Sequence, residues 1–86
     1  MSIKQTWIER AKETYAFHRS KRLLNNKWSI ILTAKALRRS IGSISEDLLI
    51  ARWTKTHSVQ LEKFNYAYEA LEFIREKQQE QEFDEL

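Results

Sequence analysis

The sequence predicts an all-α fold, a compact bundle of four to five helices, on three observations. Proline is absent and glycine occurs once, at Gly42, so little punctuates the chain. The strong helix formers Ala, Leu, Glu, Lys, Arg and Gln are abundant. Apolar residues recur three and four apart rather than in alternation, which is the spacing of one helix face. At 86 residues the chain makes one domain with a small core. Residues 1–76 are expected to form it, with 77–86 as an acidic, frayed or disordered tail.

The first helix is predicted over residues 3–24. Ser2 and Gln5 have the spacing of a capping box at its start. Trp7, Ile8, Ala11, Tyr15 and His18 make one stripe, with Arg10, Lys12, Arg19, Lys21 and Arg22 mostly off it. Asn25 and Asn26 end the helix, because asparagine tolerates the left-handed backbone of helix stops. Ser29 caps a second helix over 30–38, with Trp28 just outside it as a hydrophobic staple. Ile30 or Ile31, Ala34 and Leu37 are its inward face. Arg38, Arg39 and Ser40 make the turn that follows.

Ser40 or Ser43 caps a third helix reaching about residue 56. Ser43 with Glu46 repeats the capping-box spacing, and Glu46 with Asp47 suits the positive helix N-terminus. Ile44, Leu48 and Ala51 are expected to face the core. His57 and Ser58 break the run, and Ser58 can cap a short turn ending near Phe64. Asn65 caps the last helix, whose buried edge is Ala67, Ala70, Leu71 and Ile74. From Glu76 onward Glu, Gln and Asp dominate around isolated Phe83 and Leu86, which predicts fraying.

Charge divides the chain more sharply than its net +3 suggests. Residues 1–55 carry 12 Lys/Arg against 4 Asp/Glu, a net +8, and residues 56–86 carry 3 against 8, a net −5. A basic body of this kind suits a polyanionic partner. With no cysteine, the chain has neither disulfides nor thiolate metal sites, as a reducing cytoplasm permits. No apolar run approaches the roughly 18 residues of a membrane span, and no secretory signal layout is present. A cytoplasmic protein away from membranes is expected.

Little in the sequence suggests catalysis. His18 and His57 are isolated, with no second ligand at metal spacing. Glu80, Glu82, Asp84 and Glu85 form a solvated run, and no glycine-rich phosphate loop or Ser-His-Asp layout occurs. No enzyme, cofactor, metal or small-molecule substrate is therefore expected. Trp7, Tyr15, Trp28 and Trp53 are expected in the core and at helix crossings rather than stacked on bases.

Residues 33–48 carry the functional signal: an apolar-periodic helix, a tight polar turn and a second capped helix. That is the layout of a helix-turn-helix. Ala34 permits close helix crossing, Leu37 supplies the contact one turn later, and Ile44 the matching contact. Thr33-Ala34-Lys35-x-Leu37, the three-residue turn, Ile44 and Leu48 resemble the helix-turn-helix of Cro-type repressors and of ParB/KorB-like DNA-binding proteins. Ser40 to Leu48 is also similar to modules of small phage proteins. The resemblance covers about 20 residues. It implies double-stranded DNA binding by a small transcriptional regulator of phage or mobile-element type.

Two departures from that pattern matter. Arg38 stands where the turn usually has glycine, so a left-handed or adjusted turn must be tolerated at about 1 kcal/mol. The base-reading positions implied by the resemblance are Ile41, Gly42, Ser45, Glu46 and Leu49, a set without Arg, Asn or Gln. Ile41 can touch a thymine methyl, Ser45 can bond either way, and Glu46 can accept from cytosine N4. Glu46 and Asp47 are expected to repel phosphates.

Backbone contact is better supplied. Lys27, Lys35, Arg38, Arg39, Arg52 and Lys55 bracket the motif, and Ser40 and Ser43 can donate at a helix N-terminus. Arg19, Lys21 and Arg22 can extend the footprint. Leu49, Ile50 and Trp53 give the third helix a second apolar edge, expected to lie under the last helix or to make a homodimer through these two helices. The rival reading is a helical protein-interaction module, such as a phage adaptor that captures a host factor, on the same scaffold.

Overall fold

A computed structural model describes residues 6–85, with side chains through Gln81. Four helices are present among them: α1 (Thr6–Leu24), α2 (Ile30–Leu37), α3 (Ile41–Leu61) and α4 (Ala67–Glu85), with no strand. The extents are 42 × 35 × 20 Å. The short one is two helix layers, each about 10 Å thick. None of these helices is long and apolar enough to cross a membrane. The Ser2 and Gln5 capping box lies outside the described residues.

The apolar core is built by α1, α3 and α4. Trp7, Ile8 and Ala11 meet Ile50, Ala51 and Leu61 from α3 and Ala70, Leu71 and Ile74 from α4. Tyr15, Leu49, Trp53, Phe64, Ala67 and Phe73 pack around this cluster. Ile50 is buried, and Leu49 and Trp53 are half-buried, so the second apolar edge of α3 packs within the chain. His57 leaves the helical region (φ −128°, ψ 31°), and the run expected to break there kinks instead of stopping. Beyond the kink the expected short turn continues α3 to Leu61. The last helix is capped one residue later than predicted: Glu69 accepts from the Tyr66 backbone N–H at 3.2 Å, in the manner of a capping box. α4 then runs on to Glu85, past the Glu76 position where composition predicts fraying.

Helix α2 contributes nothing to that main cluster. It is seated by buried Ala34 and Thr33, half-buried Ile30 and Leu37, and hydrogen bonds. Ser29 caps it, its Oγ accepting from Leu32 N–H at 3.4 Å. Trp28 takes the staple position, but its contact is a hydrogen bond: Nε1–H donates to Thr33 Oγ1 at 2.7 Å. His18 Nδ1 lies 2.6 Å from the same hydroxyl. One fully buried threonine thus ties α1, the connecting loop and α2 together.

A second polar joint holds α3. Asp47, expected as an exposed first-turn acid that repels phosphate, is 1% exposed. Its Oδ2 meets Arg39 Nη2 at 2.8 Å and accepts from Thr14 Oγ1 at 2.9 Å, while Oδ1 meets Arg10 Nη2 at 3.3 Å. Arg39 Nη1 also donates to Thr14 Oγ1 at 3.0 Å. The reason is position: Asp47 lies three residues from Ile44 and from Ile50, on the buried row of α3. Burial there is tolerable only because two guanidiniums and a hydroxyl satisfy the carboxylate.

Removing the carboxylate leaves the largely covered Arg39 guanidinium and the buried Thr14 hydroxyl without it, so Asp47→Ala is expected to cost about 3 kcal/mol. Lys77 and Glu80 also stand at 3.3 Å, but in solvent, so Glu80→Gln should change stability by under about 0.5 kcal/mol. Urea denaturation of the two variants measures the contrast.

Burial, and secondly the Arg22 charge, hold the His18 imidazole below its ordinary 6.5. The unfolded chain therefore takes up a proton there before the folded one. His18 contributes its stability in full above pH 6.5 and loses it as pH falls from there through the lowered native value. Urea midpoints between pH 7.5 and 5.5 should fall for the wild type and fall less for His18→Gln.

Candidate nucleic-acid interface

The connection from α2 to α3 decides which side chains face outward. Arg38 adopts the left-handed conformation (φ 57°, ψ 45°), the only positive φ at a non-glycine among the described residues. Its N–H donates to Lys35 O at 3.3 Å and the Arg39 N–H to Ala34 O at 3.0 Å. These two bonds form a Schellman stop, with arginine where glycine is usual. The reversal leaves the Arg38 side chain exposed and turns Arg39 inward to Asp47.

Ser40 then caps α3, its Oγ accepting from Ser43 N–H at 3.1 Å. Ser43 is half-buried, and its Oγ accepts from Arg39 Nη2. Arg39 and Ser43, both expected to meet phosphate, are thus engaged inside the molecule, where they aim α3. Their neighbours remain available. Ile41 is 50% exposed, and Gly42, Ser45 and Glu46 are exposed on the first turns of α3. An added side chain at Gly42 would meet nothing within 4 Å, so this glycine faces open space. Leu49, the fifth position implied by the resemblance, is half-buried on the core.

The cations fall into two groups around this face. Lys27, in the loop before α2, Lys35, on α2, and Arg38, in the turn, are exposed ahead of α3 in the chain. Arg52 and Lys55 are exposed further along α3. Lys55 Nζ donates to Tyr15 Oη at 3.1 Å and stands 4.5 Å from that ring's centroid. Since tyrosine is neutral, this contact orients the ammonium without cancelling its charge. Burial of Asp47 beneath Arg10 and Arg39 also withdraws one of the two acids expected on the face, leaving Glu46.

Sequence reasoning placed Arg10 off the apolar stripe and Asp47 at the positive helix start, and passed over Thr14; together these three hold this arrangement. A signal was present: Thr14 follows Trp7 and Ala11 at helical spacing, and Asp47 interrupts the apolar row from Ile44 to Ile50 and Ala51. A polar residue on a buried row needs a partner, and Arg39 supplies it.

Glycine at position 38 relieves the left-handed strain and keeps the Schellman bonds. Arg38→Gly is therefore expected to raise unfolding free energy by about 1 kcal/mol, against no gain for Arg38→Gln. Urea denaturation of the two variants tests this. Comparison of the chain with protein-family models, with curated proteins and with solved structures finds no match.

Proposed function

We propose that this chain is a non-enzymatic double-stranded DNA-binding protein, a small regulator of transcription of the type found in phages and mobile elements. The observation that carries this reading is the open N-terminal face of α3. Ile41, Gly42 and Ser45 are exposed there, with exposed cations before α3 and further along it and the turn held by the Arg39–Asp47 pair. In this pose the first turns of α3 enter the major groove and Lys27, Lys35, Arg38, Arg52 and Lys55 meet backbone phosphates. The +8 balance of residues 1–55 supports the same partner.

The second reading, a protein-interaction module, draws on apolar exposure elsewhere: Leu23 is 77% and Leu24 85% exposed, with Ile31 at 51%. It predicts no duplex binding even at low salt.

The test is a salt titration of binding to random and genomic duplexes. Five phosphate contacts give a log–log slope of about −4 to −5. Arg38→Gly should weaken binding on all sequences alike while the fold grows more stable, and Ser45→Ala or Glu46→Gln should change preference between sequences. Absence of wild-type binding at low salt would overturn the reading in favour of the second.

A further inference from the structure

The flank of α1 carries a group of cations that the groove-facing pose leaves unused. We propose that Tyr15, Arg19, Arg22 and Lys55 form a second anion site, which takes a phosphodiester of the duplex backbone beyond the edge of the major groove. This inference rests on the DNA-binding reading and extends its footprint from α3 across α1.

The donor set is built from two helices. Lys55 of α3 donates to the Tyr15 hydroxyl at 3.1 Å, and Arg19 stands one turn beyond Tyr15 on α1, lining the same groove. With its oxygen accepting from Lys55, that hydroxyl keeps its own hydrogen to donate outward. Arg22 is anchored through Nη1 to Trp28 O at 3.1 Å, which leaves its other N–H groups available. An open groove of about 380 Å³ lies among Tyr15, His18, Arg19, Arg22 and Leu23, with no carboxylate in its lining. Asp47, the buried acid of α3, is already committed to Arg10 and Arg39. The Lys55 hydrogen bond, followed by the Arg19 guanidinium, holds the Tyr15 phenol below its ordinary 10.0, as expected beside uncompensated positive charge.

Donors without acceptors select an anion, and geometry selects which one. Lys55 lies ten residues beyond Ser45, about 15 Å along the helix axis. The major groove is about 12 Å wide, so a helix with Ser45 in the groove brings Lys55 past its edge, where phosphates stand. The Lys55–Tyr15 contact then carries the row onto Arg19 and Arg22.

Anisotropy titrations of a labelled duplex against salt test the site. The double variant Arg19→Gln, Arg22→Gln should reduce the steepness of the slope by about 0.9 for each phosphate lost, or about eightfold in affinity at 0.1 M salt. Arg19→Lys, which keeps the charge, should preserve the slope. Tyr15→Phe should weaken binding about fivefold at unchanged slope, since it removes a hydrogen bond and no charge. Lys63→Gln, on the α3–α4 connection, is the control for net charge and should leave the slope alone. Loss in the double variant no greater than in Lys63→Gln, or no loss in Tyr15→Phe, overturns the site. If Arg38→Gly still weakens binding in that case, the DNA-binding reading stands without it. A wild-type protein that binds no duplex ends both.

Discussion

The carboxylate of Asp47 is the constraint on which the arrangement of this protein depends. It lies on the buried row of α3 and draws in Arg39 from the turn and Arg10 and Thr14 from α1. Three segments are thereby fixed to one atom group. A row of aliphatic residues would bury as well, and often at lower cost, since ion pairs in apolar surroundings barely repay their desolvation. Directionality is what the carboxylate adds. Apolar contacts permit α3 to slide or rotate by small amounts, whereas a carboxylate with partners at 2.8 and 2.9 Å on one oxygen fixes rotation about the helix axis. Rotation determines which residues α3 presents outward.

The molecule thus divides its adhesion between two materials. The three long helices adhere through an apolar cluster running from Trp7 to Ile74. The short helix α2 stands outside that cluster, and two threonine-centred polar joints secure the region around it, one on Thr33 and one on Thr14. Eight residues are too few to bury a large apolar face or to persist as an isolated helix. Its caps and buried hydrogen bonds compensate. The same division explains why protonation of His18 bears on stability: it sits at a joint rather than at the surface.

How far the sequence revealed this depended on the range of each interaction. Local features were legible. Ser29 and Ser40 cap the helices they precede and Arg38 takes the left-handed stop, because each is decided by neighbours within a turn, whereas His57 only kinks a third helix that runs on to Leu61. The cap of α4 missed by one residue, since Asn65 and Tyr66 compete for it and the Glu69 back-bond decides. The position of Asp47 on the buried row of α3 was legible, but its partners Arg10 and Thr14 on α1, 37 and 33 residues away, were not. The fates of Arg38 and Arg39 were illegible for a subtler reason. Two identical adjacent side chains point in opposite directions, and a backbone angle of 57° at the first chooses between them. Charge composition counts both as available, and structure leaves one.

On the proposed function, that selection decides what kind of binder the face of α3 can be. Ile41, Ser45 and Glu46 offer one methyl contact, one ambivalent hydroxyl and one acceptor, so bidentate base recognition is missing. The withdrawal of Arg39 leaves exposed cations before and along α3: Lys27, Lys35 and Arg38 ahead of it, Arg52 and Lys55 within it. Phosphate contacts orient a helix without reading a base. On the proposed function, affinity is then set by the backbone and its counterions, while discrimination is left to a few small side chains and to the shape of the duplex. A rigid turn matters more in such a design than in one with an arginine reading guanine. A long bidentate side chain can adjust to a tilted helix, but a serine and a methyl group reach their bases only if the helix already lies where they need it.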